Sequence, residues 1–139
     1  MCQKNQPGRS PSMKLYNKVL MDHYHNPKNY QKLECPTFDS IAFNPLCGDK
    51  IYLELKLADD IISEIGFRGE GCIISLATAS MLFEIVTNRT IKSIELLSDK
   101  DVLDLIKLEL GLNRLKCAIL PLEALKAIAK DYKLKFLNK

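Results

Sequence analysis

Apolar residues recur at two different periods along this chain, and the switches between them mark out its elements. Leu15, Val19 and Leu20 fall at helical spacing between Lys14 and His25, and Asn26-Pro27 stops the run. Residues Asn26 to Pro36, punctuated by Pro27, Asn29 and Pro36, read as a connection. A short strand, Phe38 to Phe43, follows, and then the loop Asn44-Pro45-Leu46-Cys47-Gly48-Asp49. Beyond it Ile51, Leu53, Leu55 and Leu57 alternate with Tyr52, Glu54 and Lys56, the period-two pattern of a half-buried strand. The turn Ala58-Asp59-Asp60 leads to a third strand, Ile61 to Arg68, with Ile61, Ile65 and Phe67 expected on one face. Short connections favour an antiparallel meander for the three.

Gly69-Glu70-Gly71 breaks the third strand, and helical character then runs from Cys72 to Val86. The small residues of that run (Ser75, Ala77, Thr78, Ala79, Ser80) suit close packing against a sheet or another helix. Thr90 is placed to cap a short helix over Ile91 to Leu97, and Ser98 or Asp99 to cap a second over Val102 to Leu110, which Gly111 and Asn113 end. In the last helix Leu120, Ala124, Ile128 and Tyr132 recur at helical intervals. Proline is tolerated in a first turn, so Pro121 predicts a helix start between Cys117 and Leu120. The expected fold class is α+β, a three-stranded antiparallel sheet with helices packed against it and an N-terminal helix first. One domain is expected over residues 14–139, after a flexible tail at 1–13 that holds two prolines, a glycine and mostly polar residues.

Composition narrows the functional classes. The chain has 139 residues, enough for one sizeable core, with 47% hydrophobic and 27% charged residues. Its longest apolar stretches, such as Ile73 to Phe83, are broken by Ser and Thr and fall short of a membrane span. Met1 to Met13 lacks the apolar centre of a secretory signal, so the expectation is a cytoplasmic protein with no membrane partner. A net charge of +3 without a basic stripe interleaved with aromatics gives no reason to expect nucleic acid.

The cysteines alter this ordinary picture. There are five (Cys2, Cys35, Cys47, Cys72, Cys117), an odd and widely spaced set that does not read as a disulfide framework in a reducing compartment. Cys47 lies in a turn-forming loop, and Cys72 and Cys117 each stand at a predicted helix start, where exposed N–H groups favour a thiolate. Gly48 allows Asp49 to turn its carboxylate toward the same point. Three thiolates and a carboxylate suit zinc or the iron of a small cluster, but the intervals are not those of zinc knuckles, and on spacing alone buried structural cysteines are the favoured reading. His23 and His25 read as helix-end packing groups rather than ligands. Cys2 and Cys35 read as bystanders.

Four segments resemble the U-type iron–sulfur assembly family, which includes NifU N-terminal domains, IscU and SufU proteins. They are YNKVLMDHYHNPKN (Tyr16 to Asn29), NPLCGD (Asn44 to Asp49), GEGCIISLATASM (Gly69 to Met81) and RLKCAILPLEAL (Arg114 to Leu125). The resemblance covers nearly all of the chain after residue 13, with the motifs in family order. It is nearest to SufU-type members: Lys116 precedes the last cysteine where IscU-type scaffolds have histidine, and GLNRL (Gly111 to Leu115) replaces their chaperone-binding segment. The interval before the third cysteine is nevertheless the short, IscU-like one.

The resemblance implies a SufE/NifU-like fold and places zinc, or a transient [2Fe–2S] cluster, on Cys47, Asp49, Cys72 and Cys117. It implies two roles for that site: a zinc-bearing acceptor of sulfur from a cysteine desulfurase, with Cys47 as the attacking thiol, or a scaffold on which clusters are built and passed to iron–sulfur apoproteins or carriers. Lys116 and Arg114 are candidates for offsetting the site's negative charge. Two readings from other classes remain open: a purely structural zinc clasp in an interaction module, and a thiol enzyme using Cys117 with a histidine base.

Overall fold

The structure is a computed structural model, which describes residues 18–107 and 110–137. The first helix, α1, is seen over Lys18–His25. The expected start at Lys14 and the tail at 1–13 lie outside the described residues. Strands β1 (Phe38–Asn44), β2 (Asp49–Ala58) and β3 (Ile61–Glu70) form one antiparallel sheet in sequence order. Helix α2 (Ile73–Val86) follows, then a 3-10 turn (Ile91–Leu96), α3 (Asp99–Ile106), the long α4 (Leu112–Tyr132) and a π-helical turn (Lys133–Leu137). This is the α+β architecture expected from the periodicities. No helix among the described residues is long and apolar enough to cross a membrane.

The inward side of the sheet is built from Ile51, Leu53 and Leu55 of β2 and from Ile62, Ile65 and Phe67 of β3, all buried. The alternation is not continuous. A bulge between Lys56 and Leu57 changes the parity of pairing, so that Ile62 rather than Ile61 enters the core beside Leu57. Sequence alternation carries no sign of such an inserted residue, which is why Ile61 was expected to share a face with Ile65 and Phe67. The outer edge of β3 is covered. The Phe67 N–H donates to the Asn29 carbonyl at 3.0 Å, and Ile62 exchanges hydrogen bonds with Asn88 and Arg89. No long row of backbone groups is left open to a neighbouring chain there.

Helix α2 is apolar or small on most of its circumference, and from Ala77 to Phe83 every residue is buried. Such a helix must be enclosed, and α1 packs on one side of it and α4 on another. Helix α4 lies across β1, where Ser40 Oγ donates to the Ala124 carbonyl at 2.8 Å. The caps fall where the sequence placed them. Thr90 accepts from the Ser93 N–H, and Ser98 forms a capping box with Asp101.

Both ends of α3 and the start of α4 differ from expectation, α3 beginning at Asp99 rather than Val102. Helix α3 ends at Ile106, where Lys107 turns left-handed at φ 56°. Helix α4 starts at Leu112, so Asn113 lies within it and Pro121 lies in its interior. An interior proline costs about 3 kcal/mol and removes the hydrogen bond that the carbonyl four residues earlier, here Cys117, would accept. Burial of Cys117, Ala118, Leu120, Leu122, Ala124 and Leu125 against the rest of the fold offsets that local cost.

Phe67 joins the two main layers, meeting Tyr30 and Phe83 edge-on at centroid distances of 5.1 and 5.2 Å. Phe67→Ala is expected to lower unfolding stability by about 3–5 kcal/mol. Urea denaturation checks this, and a loss below 1 kcal/mol would mean that the core at this point is far looser than its packing indicates.

Candidate functional site

Three separate stretches of chain meet at one end of the sheet. The first is the β1–β2 loop. Asn44 Oδ1 accepts the Leu46 N–H at 3.2 Å, the Gly48 N–H donates to the Asn44 carbonyl at 2.7 Å, and Gly48 takes φ +78°. That left-handed turn, which suits glycine, leaves Cys47 exposed at the tip and brings Asp49 into the start of β2, only 1% exposed.

The second stretch is the β3–α2 junction. The Cys72 N–H donates to Asp49 Oδ1 at 3.1 Å, and the Cys72 sulfur lies 3.9 Å from Asp49 Oδ2. Cys72 is the N-cap residue of α2, as expected, although its thiol does not itself cap the helix. Gly71 makes this contact possible. It has φ +153°, and a Cβ there would lie 2.5 Å from Asp49 Oδ1 and 2.8 Å from Ser75 Oγ. Ser75 Oγ donates to the Cys72 carbonyl at 3.1 Å and so steadies the first turn of the helix.

The third stretch is the second turn of α4, which supplies Cys117, buried to 1% exposure and within hydrogen-bonding reach of both Asp49 and Cys72. The ligand atoms of Cys47, Asp49 and Cys117 all lie within 4.8 Å of one another. The structure therefore gathers all four candidate residues. One expectation is corrected: Cys117 does not stand at a helix start, and no helix terminus favours its thiolate. Burial pushes its thiol well above the ordinary cysteine range, and the Asp49 and Cys72 side chains push it further. The surroundings of Cys117 therefore favour the protonated thiol over the thiolate.

The remaining candidates separate from the site. His23 Nδ1 lies 2.7 Å from Ser80 Oγ and its Nε2 3.9 Å from Glu84, so it fastens α1 to α2. The ring of His25 packs edge-on against Tyr24. Cys35 is exposed on the connection before β1, and Cys2 lies outside the described residues. Ser80 also accepts the Lys28 N–H at 2.7 Å, which leaves it occupied structurally. Lys116 is exposed and acts on Glu123, whose carboxyl is raised by desolvation and by Asp99 while Lys116 partly offsets them. Arg114 is exposed. The residues that the sequence reading missed are Gly71 and Asn44. The signal for Asn44 was its place before Pro45, where an asparagine oxygen commonly folds onto a following N–H.

Residues 15–139 match the NifU-like N terminal domain family. The chain is 39% identical to the zinc-dependent sulfurtransferase SufU of Bacillus subtilis, over 84% of this chain and 91% of that protein. It is 31% identical to the iron–sulfur cluster assembly scaffold protein IscU of Buchnera aphidicola, over 88% of this chain and 98% of that protein. The SufU comparison runs over 138 positions while using 84% of this chain, so SufU carries residues there that have no counterpart here. Among solved structures, the N-terminal part of a nitrogen-fixing NifU-like protein from Brucella abortus matches the fold with a TM-score of 0.72 at 16% identity, covering 91% of this chain and 99% of that one. FiSufU from Fervidobacterium islandicum matches with a TM-score of 0.71 at 23% identity, covering 84% and 97%.

The gradient of exposure at the site predicts an order of thiol reactivity. In metal-free folded protein, iodoacetamide should modify Cys47 and Cys35 first, Cys72 more slowly and Cys117 last, as read by peptide mass mapping over time. Modification of Cys117 as fast as Cys47 would contradict its burial.

Proposed function

This chain belongs to the NifU-like N-terminal domain family, and from that premise we propose an iron–sulfur cluster assembly protein that uses Cys47, Asp49, Cys72 and Cys117 as one metal-binding, sulfur-handling site. The observation that carries the proposal is the convergence of these four side chains from three distant segments. The donor set fits zinc. A tetrahedral zinc–thiolate site has sulfur–sulfur edges of about 3.8 Å. The ligand atoms of Cys47, Asp49 and Cys117 already lie within 4.8 Å of one another, and the Cys72 sulfur stands 3.9 Å from the Asp49 carboxylate. Zinc, when bound, would supply a charge that holds the thiols deprotonated at neutral pH.

The best-supported role is acceptance of sulfur from a cysteine desulfurase. Cys47, exposed on a loop, is the residue free to move and to meet another protein. Its thiolate attacks the terminal sulfur of the enzyme's persulfide; one S–S bond forms on Cys47 as the enzyme's S–S bond breaks, and the enzyme's cysteine leaves as a thiolate. No net oxidation or reduction occurs. Cys72, tied to the start of α2, and Cys117, buried in α4, hold their positions. Asp49 remains anchored by the Cys72 N–H and accepts hydrogen bonds from thiols as they regain protons. The likeness to SufU and the presence of Lys116 beside the third cysteine support this reading.

A second reading, the assembly scaffold, draws support from the IscU relatives and from the segment of SufU that this chain lacks. Here a [2Fe–2S] cluster is the cargo, built on the same four residues and delivered to apoproteins or carriers. Asp49 is the only oxygen donor of the four and holds iron less firmly than a thiolate would, which suits release.

Metal and acid-labile sulfide content after anaerobic purification tests both roles. One zinc per chain, lost in Cys47→Ala, Cys72→Ala and Cys117→Ala, supports the sulfur acceptor; a red protein with iron and sulfide supports the scaffold. Zinc that survives a desulfurase and its substrate with no sulfur gained on Cys47 would favour a structural clasp instead. No metal in well-folded protein would remove the shared site. For a cluster-loaded protein, Asp49→Ala should lengthen cluster lifetime and slow transfer to an apoprotein, both followed by visible absorption. Unchanged rates would count against Asp49 as a ligand.

A further inference from the structure

Asn44 ends β1 with its side chain buried, 6% exposed, and among the described residues it is one of two with a buried side-chain polar atom that lacks a hydrogen-bond partner. The unpartnered atom is Nδ2. Its orientation is set by the other half of the amide, because Oδ1 accepts the Leu46 N–H, and the reversed amide would set donor against donor. A buried N–H group with no acceptor is costly to keep, and a turn-forming side chain does not require one.

The backbone shows where this donor lies. Asn44 is paired with Asp49 across β1 and β2, so the two side chains stand on the same face as direct neighbours, about 4.5–5.5 Å apart at Cβ. That face packs on α4, as the contact from Ser40 to Ala124 shows. Four residues along β1 from Ser40 cover about 13 Å, and seven residues back along α4 from Ala124 to Cys117 cover about 10 Å. Both paths end at the Asp49 carboxylate, against which Cys47 and Cys117 converge.

We propose that Asn44 is a positioning residue for the metal-loaded site, with its Nδ2–H donating to a cysteine sulfur of the Cys47, Cys72 and Cys117 set once the thiols have become thiolates. This rests on the metal-binding reading above. Sulfur is favoured over Asp49 because the carboxylate already stands beside Asn44 and does not take the bond. What loading changes is the sulfur, from a weak acceptor to a charged one. Electrostatics point the same way. Three thiolates and a carboxylate exceed the charge of a divalent metal by two. Lys50 is held on the opposite face of the sheet over the Phe43 and Tyr52 rings, while Lys116 is exposed and acts on Glu123. Buried neutral donors are then the means of tempering the excess, and Asn44 is one already in place.

Asn44→Ser separates this role from turn formation, since it keeps an oxygen for the Leu46 N–H and removes the amide. The metal-free variant should be as stable in urea as the wild type, or more so, having lost an unpaired donor. Its zinc affinity, measured by chelator competition, should fall roughly 10- to 100-fold. The sulfur-to-cobalt charge-transfer band of the cobalt-loaded variant should move to lower energy, because the thiolate has lost a donor. Wild-type affinity and an unmoved band, or an equal loss of stability with and without metal, would reduce Asn44 to a turn former. If the variant does not fold, the wild type decides: its Asn44 side-chain amide protons, followed by NMR through a zinc titration, should move downfield, and unmoved signals overturn the proposal. Wild-type protein that takes up neither zinc nor cobalt is a different failure, because it removes the metal site itself.

Discussion

The hydrogen bond from the Cys72 N–H to the Asp49 carboxylate is the constraint on which the rest of the site depends. A carboxylate at 1% exposure cannot remain unpaired without a large desolvation penalty, so its position is dictated by the donors around it. This bond joins the first residue of β2 to the residue that opens α2, and it does so across Gly71, where any side chain would occupy the place of the carboxylate. The β1–β2 turn and the entry into α2 are therefore fixed against each other before α4 is considered. Helix α4 then closes the site, bringing Cys117 onto the same carboxylate.

The four residues differ in how much freedom this arrangement leaves them. Asp49 and Cys117 are buried, Cys72 is held by its own backbone, and Cys47 alone stands exposed on a loop. A binding site built for permanence would bury all its ligands alike. Here one candidate ligand is exposed while the other three are held by the fold, the division of labour that the proposed sulfur transfer through Cys47 needs. Helix α4 has its one proline-interrupted rung at Cys117, since Pro121 offers no N–H to the Cys117 carbonyl. Packing on both sides holds Cys117 in place despite that interruption.

Much of the fold was legible in the sequence because its strands alternate cleanly and its caps are chemically explicit. Thr90 and Ser98 cap what they were expected to cap, and Ile51, Leu53 and Leu55 point inward together. The failures share a physical cause: local rules were overruled by packing. Pro121 marks a helix start by local preference, yet α4 continues through it because the faces on either side are buried. The bulge at Lys56 and Leu57 has no signature in the alternation and moves Ile62 into the core in place of Ile61. For the site, proximity in sequence disclosed only the pair Cys47 and Asp49. The intervals to Cys72 and Cys117 carry no distance information, so their convergence was implied by family resemblance alone and is seen only when the sheet and α4 are assembled.

The error about Cys117 changes how the site must work. Had this residue opened a helix, its thiolate would have been favoured and would place a standing negative charge beside Asp49. Burial has the opposite effect: it favours the protonated thiol, which can donate toward Asp49. No thiolate at Cys117 then stands beside the buried Asp49 carboxylate, and the two can pack together at the end of the sheet. In the proposed site, metal binding would take the place of that proton. The Cys72 N–H, a donor whose hydrogen bond to the carboxylate does not depend on the thiol's proton, holds Asp49 throughout. A backbone group, which cannot titrate, is therefore the fixed point around which the proposed site is arranged.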